Sequence, residues 1–141
     1  MIERIVGLDL GMVRIGVAVS DPLGTFAQGV AQWDARNDWL CNLGDLLRST
    51  GASTVVVGLP IREDGTRGPS ALKVEENMRQ IRETFPDVTI IPVDERYSST
   101  IANQVLIQGD LSRKKRRAVV DKLAASVILQ TYLDTRRTVE P

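Results

Sequence analysis

Apolar positions along this chain follow two rhythms. Arg4 to Leu10 and Arg14 to Ser20 are rich in β-branched residues, and only Gly11-Met12-Val13 joins them, a connection short enough for a hairpin. Asp21-Pro22-Leu23-Gly24 has turn composition, and Thr25 to Trp33 alternates loosely as a third strand. The rhythm then becomes helical. Trp39, Leu40, Leu43, Leu46 and Leu47 predict a helix over residues 35–50, with Gly51 placed to stop it. Thr54 to Leu59 is an unbroken apolar run before Pro60, the pattern of a strand buried on both faces. Arg62 to Gly68 reads as a loop, Pro69 and Ser70 open a helix to Thr84, and Phe85-Pro86-Asp87 breaks it. Val88 to Val93 is a second buried strand, with Asp94-Glu95-Arg96 at its carboxyl end. Ser98, Ser99 or Thr100 caps a helix ending near Gly109, and a basic loop, Ser112 to Arg117, follows. The last helix covers residues 118–134, with Val119, Val120, Leu123, Ala124, Val127, Ile128 and Tyr132 toward the core, and 135–141 reads as a loose tail.

This order, β-β-β-α-β-α-β-α-α, predicts one α/β domain over residues 1–141. Three strands joined by short turns should be antiparallel, and the two reached through helices parallel to the first. The expected architecture is a five-stranded mixed sheet flanked by helices. No repeat, linker or low-complexity block interrupts it.

Composition narrows the chemistry. The 141 residues are 43% hydrophobic, enough for a core, and no stretch approaches the roughly 20 apolar residues that cross a bilayer. The N-terminus has neither a basic leader nor an apolar signal core, so a cytoplasmic location is expected. A single cysteine, Cys41, excludes an intrachain disulfide, and its neighbours Trp39, Leu40 and Leu43 suggest a small buried hydrophobe. There is no histidine, which excludes Ser-His-Asp hydrolysis, histidine-ligated zinc and phosphohistidine mechanisms. Carboxylates, hydroxyls, Lys and Arg remain, and carboxylates suit hard cations such as Mg2+ or Mn2+. The net charge of zero is unevenly spread: residues 1–94 carry −4 and residues 95–141 carry +4, a bias toward a polyanionic partner.

Three acids stand out. Asp9 is set in an apolar strand, where a carboxylate is costly unless paired, protonated or bound to a cation; capping of the strand end is the competing reading. Glu95 directly follows a strand, where functional groups gather in open α/β sheets. Strand alternation lets only one of Asp94 and Glu95 face a site, and Arg96 can pair with the other. Asp121 lies near the apolar face of the last helix, though an acid early in a helix also answers the macrodipole. Together they suggest one shared cation site, and hard ions held by carboxylates can promote attack of water on a phosphodiester. Candidate nucleic-acid contacts are the run Arg113, Lys114, Lys115, Arg116, Arg117, the hydroxyls of Ser98 and Ser99, and Arg14 and Arg96. A solvated loop and ordinary helix capping are the plain alternatives for the run and the serines. Gly11 to Gly16 has Walker spacing, but Val17-Ala18 replaces the Lys-Ser/Thr pair and a strand follows instead of a helix.

With these residues in view, the sequence resembles the YqgF (RuvX) family from about Ile5 to Asp134. Four segments carry the likeness: Gly7-Leu8-Asp9-Leu10-Gly11 continuing into Arg14 to Asp21; Val57-Gly58-Leu59-Pro60 with Asp64-Gly65-Thr66; Val93-Asp94-Glu95-Arg96; and Asp121 to Ala125 with Ile128-Leu129. The resemblance implies a ribonuclease-H-like fold and divalent-metal phosphodiester hydrolysis, with Asp9, Glu95 and Asp121 as the catalytic and metal-holding acids. It also implies a role in maturing the small-subunit ribosomal RNA precursor or in resolving Holliday junctions. Partners would be RNA or DNA and pre-ribosomal particles, and the protein a monomer or homodimer. Two departures are visible. Arg62 stands where the family usually has Asn, and Ser98-Ser99 where it usually has a Thr pair.

Two other classes compete. A non-catalytic RNA-binding assembly factor is poorly supplied with stacking surfaces, since 4% of residues are aromatic. An actin-like ATPase module shares the early Asp-x-Gly strand, but such proteins enclose nucleotide between two domains, and this chain supplies one.

Overall fold

A computed structural model describes residues 4–62, 64–94 and 113–139; within the last segment, side chains are described from Lys122 to Arg136. Five strands form one sheet: β1 Ile5–Leu10, β2 Arg14–Ser20, β3 Ala27–Asp34, β4 Thr54–Leu59 and β5 Thr89–Asp94. Their spatial order is β3-β2-β1-β4-β5. As the pattern predicts, β1-β2 and β2-β3 are antiparallel, while β4 is parallel to β1 and β5 to β4. Three helices are described: α1 Trp39–Thr50, α2 Pro69–Thr84 and α3 Arg113–Val139.

Alternation along the strands builds a core on each face. Val6, Leu8, Leu10, Ile15, Val17, Val55, Val57 and Leu59 point to one side, where they bury Trp39, Leu43 and Leu47 of α1 and Val74, Met78 and Ile81 of α2. The other side presents Ile5, Ala18 and Val56 to Ala125, Ile128, Leu129 and Leu133 of α3. On this second face small residues form a lane. Gly29, Ala18, Gly7 and Val56 are register partners across four strands. A Cβ on Gly7 would stand 2.8 Å from Leu129 Cβ, and one on Gly29 would stand 2.9 Å from both Lys122 Cβ and its carbonyl oxygen. The backbone of α3 thus rests almost directly on the sheet.

Several boundaries differ from those expected, each for a local reason. Helix α1 starts at Trp39 rather than at 35. Asp34 holds the preceding turn, accepting from the Arg36 amide and from two guanidinium nitrogens, and Asp38 caps the helix through the Cys41 amide. Gly51 ends it in the left-handed region, φ 71°, returning its N–H to the Leu47 carbonyl. Cys41 is exposed, not buried: it lies off the Trp39-Leu43-Leu47 stripe. Strand β5 is half-buried or exposed rather than fully covered, because it lies outermost among the described strands, which is also where Pro92 is tolerated without a donor. The basic run 113–117 is the start of α3 and not a loop, and the helix continues through much of the expected tail, to Val139. Lys and Arg are good helix formers, and no Gly or Pro lies between 113 and 139. The helix expected over 98–109 lies outside the described residues.

Candidate active site

Asp9 is the fifth residue of β1 and points to the face that α3 covers, two positions beyond Gly7. Its partner on β2 is Gly16, whose partner on β3 is Gln32. On the β4 side the last β1 pair is Leu8 with Val57, so Gly58 comes next in the row, and Gly58 is paired with Val93 of β5. The carboxylate therefore has glycine on either side, with no Cβ for about 5 Å each way. It is half-buried.

The direction of α3 carries its N-terminal part toward the same end of the sheet. Lys122 lies over Gly29, whereas the Gln130 amide engages the start of β3, accepting from Ala27 N at 2.8 Å and donating to Thr25 O at 3.0 Å. The helix thus runs antiparallel to β3, and hence to β1, so residues before Lys122 extend toward the end that carries Asp9. Asp121 is helical and one turn before Ala125. Ala124 and Ile128 are buried as expected, together with Ala125, Leu129 and Leu133; Tyr132 packs half-buried against the same cluster, Leu123 and Val127 are half-buried, and the side chains of Val119 and Val120 lie outside the described residues.

Asp94 and Asp9 lie on opposite faces. Asp94 pairs with Leu59, which belongs to the α1–α2 side, whereas Val93 packs with the α3 cluster. Of the two adjacent acids, Asp94 is thereby separated from Asp9. Glu95, Arg96, Ser98 and Ser99 lie outside the described residues, and so do the side chains of Asp121 and of Arg113 to Arg117. Among the described residues no three Asp, Glu, Cys or His side chains cluster as metal ligands.

Other residues singled out in the sequence find their places. Gly7 and Gly11 serve the fold: α3 occupies the space above Gly7, and Gly11 closes the β1–β2 turn, its N–H 3.0 Å from the Arg14 carbonyl. Arg62 lays its guanidinium against Gly68 at the start of α2, where a Cβ would lie 2.7 Å from Nε. The loop between them is folded, with an Ile61–Arg67 bridge and Asp64 accepting from the Thr66 hydroxyl and amide, which holds the Asp64 carboxyl below its ordinary range. Arg14 lines a cavity of about 280 Å3 with Val13, Gln32, Trp33, Asp34 and Arg36. Gly16 and Gly58 belong to the motifs that carry the resemblance and Gln32 does not, but the relation of all three to Asp9 exists only through strand pairing.

A mixed sheet of this order, with a long helix laid across it, is the ribonuclease-H-like fold. The solved structures that match share this fold. Fowlpox virus resolvase, solved with Holliday junction DNA, aligns over 94% of this chain and 98% of its own (TM-score 0.62, 14% identity). RuvC from Thermus thermophilus, also solved with a Holliday junction substrate, aligns over 98% of both chains (TM-score 0.60, 14% identity). The family profile described as "RuvX: Holliday junction resolvase" matches residues 3–135, and the chain belongs to that family. A relative from Geobacillus kaustophilus is 46% identical over 138 residues, covering 95% of this chain and 99% of the relative, and carries the name "Putative pre-16S rRNA nuclease". One from Syntrophomonas wolfei, of the same name, is 46% identical over 136 residues, covering 93% and 94%. The chain is a nuclease by family. Among the described residues no helix is long and apolar enough to cross a membrane.

Proposed function

We infer that this nuclease is divalent-metal-dependent and hydrolyses the phosphodiester backbone of the small-subunit ribosomal RNA precursor. The observation that carries the reading is Asp9 itself: a half-buried carboxylate at the carboxyl end of the central strand, with glycine on the strand to either side and on the face that α3 covers. The RNA substrate is favoured by the full-length relatives, whose names specify pre-16S rRNA. A second reading, cleavage of four-way DNA junctions, is favoured by the family description and by the junction-bound neighbours. On the first reading pre-ribosomal particles are the partner; on the second a two-fold junction calls for a homodimer.

Asp9, Glu95 and Asp121 would hold the cation. The donor set fits, being carboxylate oxygen in a chain without histidine, which suits Mg2+ or Mn2+. A divalent ion held there supplies Lewis-acid chemistry to the phosphodiester. The chain's own contribution is rigidity and access. Strand β1 is paired on both sides, so Asp9 is fixed without loop freedom, and the flanking glycines let a phosphate approach. The cationic start of α3, at the same end of the sheet, attracts the backbone, and the hydroxyls of Ser98 and Ser99 with Arg96 follow Glu95 as further contacts.

The test is a cleavage panel of single-stranded RNA, single-stranded DNA, duplex and junction, in Mg2+ and in Mn2+, with wild type beside Asp9→Asn. Losing a ligand should cost at least about a hundredfold in rate on every substrate while nucleic-acid affinity is kept. Undiminished cleavage by the variant, or by wild type in EDTA, would remove the mechanism. The preferred substrate separates RNA maturation from junction resolution.

A further inference from the structure

Strands β1 and β2 meet in a two-residue tip, Met12-Val13, that is apolar and open to solvent. Met12 is 78% exposed, more than any other described large apolar side chain, and Val13 is 50% exposed. Tight turns are normally built from Gly, Asn, Asp, Ser or Pro, and neither Met nor Val assists the backbone there. Other groups make this turn. Gly11 donates to the Arg14 carbonyl at 3.0 Å, and a Cβ on Gly11 would clash with that oxygen. The Val13 carbonyl accepts from the Ala35 amide at 2.8 Å, which ties the tip to the end of β3. Strand β3 has one extra residue, Val30, between the Ala18–Gly29 and Val17–Ala31 pairs; past it the ladder runs regularly to Arg14–Asp34, and Ala35 arrives at the tip. Two exposed apolar side chains are thus presented on a fixed backbone.

Their place decides what they can meet. Met12 is three residues beyond Asp9, within about 10 Å along the chain and at the same end of the sheet. The start of α3, which carries the cations at 113–117, comes to that end as well. A nucleic-acid strand lying there has phosphates for the cations, while an apolar tip offers a phosphate nothing. The tip is stabilised by covering a base, and methionine, flexible and polarizable, suits the face or edge of an aromatic ring. Apolar side chains of this kind insert between bases in other nucleic-acid-binding proteins. In a duplex the base faces are covered by their neighbours, whereas an unpaired base can be splayed out and packed against. Among the described residues neither tryptophan is placed to do this: Trp39 is buried and Trp33 packs against the α1–α2 core.

We propose that the β1–β2 tip is a base-contacting site, with Met12 and Val13 packing on an unpaired nucleobase beside the cleaved bond. The assignment rests on the nuclease reading above and adds a substrate class: nucleic acid that is single-stranded at the point of cleavage.

Met12→Ser, alone and combined with Val13→Thr, tests it by fluorescence anisotropy of labelled single-stranded RNA and of the same sequence as a duplex, in EDTA across a salt series. Losing an apolar contact should weaken single-strand binding about three- to tenfold, with duplex affinity kept within about twofold and the log–log salt slope unchanged, because no phosphate contact is removed. Met12→Leu, which keeps the apolar surface, should bind like wild type. A 2-aminopurine in the single strand should respond to wild type and Met12→Leu more than to Met12→Ser. Circular dichroism melts should coincide, since Met12 is exposed and the turn is made by other groups. Wild-type single-strand affinity in the serine variants, or an equal loss on both substrates with a shallower salt slope, would overturn the base contact. So would a wild-type dimer that the serine variants dissociate in sedimentation, because the tip would then face a second copy. Absence of cleavage by wild type would instead sink the nuclease reading, and the anisotropy would still judge the tip.

Discussion

Gly7 lacks a side chain because a helix fills the place where one would go. A methyl group there meets Leu129 Cβ at 2.8 Å and the Ala125 carbonyl at 3.3 Å, and neither is the free end of a flexible chain. Gly7→Ala should therefore destabilise the fold by about 1–3 kcal/mol, the usual cost of overpacking, read as a lower urea midpoint with unchanged slope. An unaltered midpoint would mean that α3 sits higher than described. A glycine near an acid lets a backbone or a phosphate come close; at Gly7 it is the α3 backbone, whereas the glycines beside the acid itself, Gly16 and Gly58, are on neighbouring strands. Pairing register is a tertiary fact, and a linear pattern does not contain it.

At the scale of the element, α3 is held by its apolar stripe and by one amide clamp. Gln130 is 103 residues from Ala27 and 105 from Thr25, yet it satisfies backbone groups of both. Gln130→Leu removes both bonds and leaves partly buried polar groups without a partner, a loss of about 1–3 kcal/mol. Hydrogen exchange at the Ala27 amide should quicken more than in the centre of β1; equal protection would argue against the clamp. The strands β2 and β4 and the whole of α2 are legible from the chain, since their hydrophobic periods agree with their end signals: Ser20 before a turn, Leu59 before Pro60, Pro69 at the start and Phe85-Pro86 at the stop. The limits of α3 are not. Five consecutive cations look like a loop to hydrophobic pattern, but their helix propensity is high and nothing breaks the run. Asp9, by contrast, could be read directly, because an acid inside an apolar strand needs a reason wherever it occurs.

Whole-molecule stability should depend on pH through carboxylates alone. Asp21 is lowered by backbone hydrogen bonds, first from Phe26; Asp34 by the Arg36 side chain; Asp64 by the Thr66 hydroxyl; and Glu76 by Arg79. A folded-state pKa below the unfolded one means that the unfolded chain binds more protons between the two, so stability is complete above the unfolded value and falls as pH drops through the folded one. None of the four residues is buried, so each effect is small and screened by salt. With no histidine, the melting temperature should be level between about pH 6 and 8 and fall below about pH 4. A midpoint near neutrality in a thermal-melt series would contradict this.

The extra residue at Val30 has a consequence for how the strand can change length. Ala18 pairs with Gly29 and Val17 with Ala31, so Val30 has no partner of its own, and Val30 and Ala31 share one side before alternation resumes with Gln32 and Trp33. Deleting Val30 would leave Ala31 opposite Val17 and Gln32 opposite Gly16 in an unbroken ladder, with the indole still against the core. This strand can therefore lose a residue at one point, where a deletion at any regular position would turn over every side chain beyond it.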